Sequence, residues 1–358
     1  MRCLLPSLAL TASFCSLTTA SVLPRQDTEY AGYLLSTFTD ENPSVFWYLS
    51  SASDPLAFQP LNGGDPISDS TIGTGGVRDI FLTSNEDHTE FFVIATDLDI
   101  NADGFSWDEA TRRGSLALTI WKSTDLLEWS EPWLATYTSL VPSSELPETD
   151  IFSVESPQGG MAWAPSAIYN PSTATYDLFW ASRLYDESDS GHTGNATLDR
   201  IRHATTTDFV TFSSPEDYVA LDAENIPLID QEFLYLGEEG HYARFLKDEN
   251  VLHVYQETTT EGLFGSWSRS PSPDDSGYIV TRTFEGPAAF PDIQSPGKYY
   301  LLMDDYTEYI PFVTEDVASG IYEELAIEGS GLPRGLKHGN VFLVTGSEYE
   351  GLVERYGL

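Results

Sequence analysis

Four short segments set acidic, aromatic or proline residues among apolar ones: Val77-Arg78-Asp79-Ile80-Phe81, Met161-Ala162-Trp163-Ala164-Pro165, Leu228-Ile229-Asp230-Gln231 and Phe284-Glu285-Gly286-Pro287. A carboxyl group in apolar surroundings is costly unless it has a partner or a task. Three of them, Asp79, Asp230 and Glu285, brought to one place would supply a general base, a general acid and a third group that tunes proton affinity. Each also has a plain structural reading. Arg78 is a ready ion-pair partner for Asp79, and Asp230 after Pro227 or Glu285 before Gly286-Pro287 suits a turn. Other chemistry is absent: there is no His-Glu-x-x-His, no phosphate-binding glycine loop and no Gly-x-Ser-x-Gly. The stretch from Asp97 to Asp108 resembles a calcium loop, but it lacks the terminal glutamate and reads as a solvated loop.

The elements that must position these groups are strands. Helix signals are scarce, whereas runs rich in aromatic and β-branched residues recur between Gly, Pro, Asn, Asp and Ser clusters, as in Tyr33–Phe38, Phe91–Thr96, Tyr176–Ser182, Leu252–Gln256 and Tyr299–Met303. An Asp stands four residues before an aromatic in three Ser/Thr-rich turns, at Asp54 and Phe58, Asp125 and Trp129, and Asp208 and Phe212. There the Asp is expected to cap local amides, and the repetition points to one building block used many times. Counting units predicts an all-β, five-bladed β-propeller, with blades near residues 31–70, 77–135, 160–215, 226–270 and 283–325. The first unit lacks an inner strand, and His338–Thr345 is left over at the C-terminus to fill it. Closing the ring in this way removes exposed sheet edges. A two-sheet sandwich leaves that last strand unexplained.

The bulk composition narrows the setting. Residues 1–20 read as a signal peptide, with Arg2, an apolar stretch from Leu4 to Leu17, and small residues Thr18, Thr19 and Ala20 at the cleavage site. Residues 21–30 form an N-terminal tail, and 31–358 the catalytic propeller. Both cysteines, Cys3 and Cys15, fall in the signal, so no disulfide or thiolate chemistry is expected of the mature chain. Fifty-six acidic residues against seventeen basic ones give a formal charge of −39. That surface repels phosphates and anionic lipid, so neither nucleic acid nor membrane is an expected partner. It suits a neutral substrate in an acidic extracellular medium, and a secreted monomer is expected. Asn195-Ala196-Thr197 is the usable glycosylation sequon, since Asn42 and Asn170 precede proline.

Taken in order, the segments resemble glycoside hydrolase family 43, the five-bladed arabinofuranosidases, arabinanases and xylosidases. The pieces are Asp79 in its apolar strand, Trp163-Ala164-Pro165, Ile229-Asp230, Glu285-Gly286-Pro287 and His338-Gly339, and the resemblance runs from about Tyr33 to Leu358. It implies Asp79 as the general base that activates water, Asp230 as the carboxylate that raises the acid's pKa and orients it, and Glu285 as the general acid. It implies inversion at the anomeric centre, which needs base and acid about 6.5–9.5 Å apart. Trp163 is then an aromatic wall for a sugar face, with Arg78 and Ser166 beside it as further substrate contacts. His338 is a channel histidine that organises water or an ion. No cofactor is required, although a calcium ion in the central channel is compatible with the resemblance. Arabinan, arabinoxylan or xylo-oligosaccharides are the expected substrates.

Two departures from the family pattern stand out. Ile80 follows the base where proline is usual, and Ser166 follows Trp-Ala-Pro where an acidic residue is usual. The first bears on backbone stiffness and the second on substrate preference. Two rival readings are a retaining fructosidase-like propeller and a propeller that binds sugar without cleaving it. The first lacks an Asn-Asp-Pro-Asn-Gly segment near the start of this chain, and the second gives no reason to keep three carboxyl groups together.

Overall fold

The computed structural model describes residues 29–135 and 154–358. The expected signal peptide with Cys3 and Cys15, and the tail up to residue 28, lie outside the described residues.

The strands group into five four-stranded antiparallel sheets. Blade two holds β4 (Val77–Ser84), β5 (Phe91–Asp97), β6 (Leu118–Ser123) and β7 (Trp133–Leu134). Blade three holds β8 (Trp163–Asn170), β9 (Thr175–Ser182), β10 (Arg200–Thr206) and β11 (Glu216–Val219). Blade four holds β12 (Leu228–Tyr235), β13 (Tyr242–Asp248), β14 (His253–Thr259) and β15 (Ser268–Arg269). Blade five holds β16 (Glu285–Pro291), β17 (Tyr299–Asp304), β18 (Tyr309–Thr314) and β19 (Glu323–Glu324). Blade one combines both ends of the chain: β20 (Asn340–Thr345) pairs with β1 (Tyr30–Thr37), followed by β2 (Phe46–Ser51) and β3 (Gln59–Pro60). The leftover C-terminal strand therefore fills the gap that the sequence leaves in the first unit.

The first strands of the sheets, β20, β4, β8, β12 and β16, touch one another in a closed ring. The join between blades one and two is explicit. Ile80 bridges Gly339 in parallel, and the Asn340 amide donates to Leu82 O (2.9 Å) and accepts from Leu82 N (2.8 Å), standing in for a ladder hydrogen bond. The backbone at Ile80, where proline is usual, thus takes part in closing the ring.

The core is divided among the five seams between blades. Strand β5 shows why its run is apolar throughout. Phe91, Val93 and Ala95, with Trp121 of the same blade, face Leu34 and Trp47 of blade one, while Phe92 and Ile94 face blade three with Tyr176, Leu178 and Trp180. Side chains alternate along a strand, and here both faces are buried, so period-two polarity vanishes. Each fully buried large side chain contributes roughly 1.5–3 kcal/mol.

At the rim, helix α2 (Gly346–Tyr356) begins at Thr345 with a capping box to Glu348 and ties back through Tyr356 Oη to Leu127 O at 2.8 Å. The repeated turns hold in two of three cases. Asp125 accepts from the amides of Leu127 (2.9 Å) and Glu128 (3.0 Å), and Asp208 from Val210 and Thr211 (2.9 Å each). Asp54 forms no such cap among the described residues, and its turn is closed by Ala57 N to Asp54 O at 3.2 Å.

Candidate active site

One backbone device recurs at the mouth of four inner strands. The pairing of β4, β8, β12 and β16 with the next strand slips between Arg78 and Phe81, Trp163 and Ser166, Ile229 and Glu232, and Glu285 and Ala288. The second residue of each bulge is left-handed: Asp79 (φ 52°), Ala164 (48°), Asp230 (54°) and Gly286 (52°). Bulges bend a strand and re-aim its side chains. Here the first residue of every bulge, Arg78, Trp163, Ile229 and Glu285, lines one cavity of about 200 Å³. Asp79, Asp230 and His338 line it too, so the three carboxyl groups and the histidine singled out in the sequence do meet.

His338 stands between two of those carboxylates. Its Nδ1 is 3.3 Å from Asp79 Oδ1 and 3.9 Å from Asp230 Oδ1. Burial alone would lower the His338 pKa, but the charge of Asp230, then the hydrogen bond and charge of Asp79, push it up to about 9. Burial would raise Asp79. Its hydrogen bond to His338, the charges of His338 and Arg78, and the Thr96 hydroxyl donating to Oδ2 at 2.8 Å hold it below the ordinary carboxylate value instead. Asp230 goes the other way. Burial pushes it up to about 6, with Glu285 and Asp79 adding to the rise while His338 and Lys247 oppose it. One oxygen of Asp230 accepts from Gly286 N at 3.1 Å, which ties blade four to the bulge of blade five. Thr96 does the same between blades two and three, accepting from Ala164 N at 2.8 Å while it donates to Asp79.

The charges around this centre are paired. Lys247 Nζ is 2.9 Å from Glu285 Oε2 and 2.7 Å from Glu249 Oε1. Lys337 Nζ is 2.9 Å from the buried Asp304, whose carboxyl is raised to about 6 by burial against the pull of Lys337. Arg78 binds Asp40 Oδ1 at 2.8 Å and packs over Phe38 rather than bonding its neighbour Asp79. Deeper in the channel, burial raises Glu232 well above the ordinary value.

Trp163 and Arg78 line the cavity as expected. Ser166 does not. It is the fourth residue of its bulged strand, 1% exposed, and its hydroxyl faces Gln231 Nε2 at 3.4 Å below the cavity. As a substrate contact, Ser166 is therefore corrected to a packing position. The donors present do not fit a calcium ion held by side chains. Among the described residues no three His, Cys, Asp or Glu groups are arranged so that they could hold a metal ion, and Nδ1 of His338 is already engaged with Asp79 at 3.3 Å. Asn195 is exposed on the loop that receives Arg112 and Arg113 from helix α1 (Trp107–Arg112) and the residue after it.

Several residues at the site carry no sequence signal of their own. Thr96 and Lys247 lie opposite the bulges, paired with Arg78 and Ile229, and become readable once the strand register is known. Asp40, Trp107 and Tyr306 reach the cavity from connecting segments. The stretch that resembles a calcium loop contributes Leu98, Ile100 and Trp107 to the wall, with Asp97 bonded to Thr74 N at 2.7 Å.

With this geometry in place, comparison with known proteins adds a family. A family model described as a probable glycosyl hydrolase domain, related to glycoside hydrolase family 43, matches residues 28–350. A curated α-L-arabinofuranosidase of Bifidobacterium longum subsp. longum is 26% identical over 229 residues, 62% of this chain and 20% of that protein. The match thus spans a fifth of the curated relative. Among solved structures, an α-L-arabinanase of Penicillium chrysogenum complexed with arabinobiose superposes with a TM-score of 0.49 at 13% identity, over 87% of this chain and 82% of that one. An exo-β-1,3-galactanase from Clostridium thermocellum gives a TM-score of 0.47 at 12% identity, over 74% and 51%. Likenesses at this level carry no argument about substrate.

Proposed function

The chain belongs to this probable glycosyl hydrolase family related to glycoside hydrolase family 43, and from that premise we propose that it hydrolyses a terminal pentose from plant cell-wall saccharides, α-L-arabinofuranose first and β-D-xylose second. The observation that carries the reading is the shared placement of Asp79 and Asp230. The same bulge sets both in one cavity, both face His338, and Glu285 opens the next bulge.

In this reading Asp79, kept ionised by His338, Arg78 and Thr96, takes a proton from water as its oxygen attacks the anomeric carbon. Glu285 gives a proton to the glycosidic oxygen as its bond to that carbon breaks. Asp230, which accepts from Gly286 N, holds the segment that carries Glu285 in place. Attack from the face opposite the leaving group gives inversion. An apolar cavity of about 150 Å³ holds a benzene, so about 200 Å³ suits one sugar ring and favours action at a chain end. Secretion after cleavage at Ala20, a glycan on Asn195 and a monomeric state complete the proposal, and intact mass and sedimentation of the secreted protein test them.

The deciding experiment offers arabinan, arabinoxylan and simple pentosides at mildly acidic pH, with the product anomer followed by proton NMR and Glu285→Ala as control. Inverted pentose lost in the control supports the reading. No release from any pentoside, with galactose or fructose released when a galactan or a fructan is offered next, would replace the substrate class. Sugar binding with no release at all would turn the reading to a binding propeller.

A further inference from the structure

Among the described residues, one phenylalanine and one tyrosine have left-handed backbone, Phe209 (φ 54°) and Tyr306 (φ 72°). An L-residue with a bulky ring is disfavoured there, and Gly or Asn is the usual occupant. For Phe209 the cost is offset by complete burial, with its ring 4.5 Å from Phe92 and 4.9 Å from Tyr176. Tyr306 has no such compensation, because it remains 40% exposed.

The turn that carries Tyr306 is nevertheless tightly fixed. Tyr306 N donates to Asp304 Oδ1 at 2.8 Å, on the oxygen that also holds Lys337. Asp305 accepts from Thr307 N (2.9 Å) and Glu308 N (3.0 Å). A rigid hairpin tip therefore holds a strained, half-exposed ring at the cavity rim. The ring lies 5.2 Å from Lys247 Nζ, and that ammonium is 2.9 Å from Glu285. The other half-exposed ring at the cavity, Trp107, leans edge-on against Trp163 at 6.0 Å, on the side of blade three.

We infer that Tyr306 forms the wall of a second, leaving-group subsite that takes a neutral sugar ring, so that the substrate is a di- or oligosaccharide rather than a simple glycoside. The inference rests on Glu285 as the general acid: the glycosidic oxygen lies against that carboxyl, and the ring attached to it extends past Tyr306. An aromatic face offers such a ring apolar contact area without a charge.

The test compares α-1,5-arabinobiose with methyl α-L-arabinofuranoside, and xylobiose with methyl β-D-xyloside, in the wild type, Tyr306→Phe and Tyr306→Gly. Glycine is at ease at φ 72°, which offsets part of the packing lost with the ring, so Tyr306→Gly is expected to fold, and a thermal scan checks it. Its kcat/KM for the disaccharide is expected to fall about tenfold more than for the methyl glycoside, and Tyr306→Phe to stay within about twofold of the wild type. An equal fall on both substrates, or none on either, overturns the subsite. If the wild type cleaves no pentoside, the hydrolase reading fails and calorimetric binding decides the subsite by itself. Tighter binding of the disaccharide than of its monosaccharide, lost in Tyr306→Gly, sustains it, and no such increment overturns it.

Discussion

Blades two and four contrast with blades three and five in the residue that fills the left-handed position of a shared bulge. All four build the same left-handed bulge at the channel mouth, but the strained residue is Asp79 or Asp230 in one pair and Ala164 or Gly286 in the other. Asp is among the few side chains that enter this region at modest cost. The fold therefore repeats a socket, and its occupant decides whether the left-handed position itself carries a carboxylate or only packs closely; blade five sends its carboxylate from the preceding residue, Glu285. His338, from the closing strand of blade one, reads the two filled sockets together. Blade one has no socket of its own, since its inner strand begins at Asn340 after Gly339.

The sharpest way to break this contrast is to remove the charge from a filled socket while keeping its shape. Asp79→Asn is expected to lower kcat by about 10²–10⁴ in a protein that still folds, with a lower melting temperature because one carboxylate that holds the His338 imidazolium is gone, read from pentose release and a thermal scan. Survival of full activity would show that the filled socket is not where the base sits. The next effect comes from an empty socket. A Cβ on Gly286 would stand 2.6 Å from the Cβ and Cγ of His338, at φ 52°. Gly286→Ala is therefore expected to cost roughly 1–3 kcal/mol in denaturant unfolding. It should also lower activity, because His338 must move from Asp79 and Asp230.

Much of this arrangement was legible in the sequence. The five blades follow from recurring aromatic strands and from an unpaired last strand, since ring closure is the economical way to remove an edge. Asp79, Asp230 and Glu285 were visible because acidic residues interrupt apolar runs, and His338 through the family resemblance. Ser166 was misplaced for a local reason. A bulge inserts one residue, so the side chains beyond it change direction, and Ser166 turns into the packing toward Gln231. Thr96 and Lys247 depend on cross-strand register, which one sequence does not encode locally. Asp40 and Tyr306 come from loops and Trp107 from the start of helix α1, all in connections whose paths are set by tertiary contacts.

A third prediction uses the histidine that joins the filled sockets. His338 is raised from 6.5 to about 9. A base raised on folding contributes stability that is fully present below its unfolded pKa and is lost as pH rises through the folded one. His338 thus favours the native state most at pH 6.5 and below, and the contribution fades towards pH 9. Asp230, raised from 3.8 to about 6, acts over a lower window, where its contribution falls as pH climbs from 3.8 to 6. Urea unfolding at a series of pH values should show a decline between 6.5 and 9 that His338→Gln flattens. An unchanged slope in that variant would show that the two carboxylates do not hold the imidazolium.

The smallest effect is the most discriminating for the socket itself. Ala164 occupies the same left-handed position as Asp79, with no charge and almost no exposure. Ala164→Gly relieves the backbone cost of a Cβ at φ 48° but gives up the burial of one methyl group, each on the order of 1 kcal/mol and of opposite sign. The unfolding free energy should therefore change by less than about 0.5 kcal/mol, with pentose release close to wild type because the Thr96 bond to Ala164 N is a main-chain contact. Set beside Gly286→Ala, this tests whether the four sockets are alike in backbone and differ only in what surrounds the Cβ. A large loss from Ala164→Gly would mean that blade three depends on its methyl group for packing and that the repeated socket is not one device.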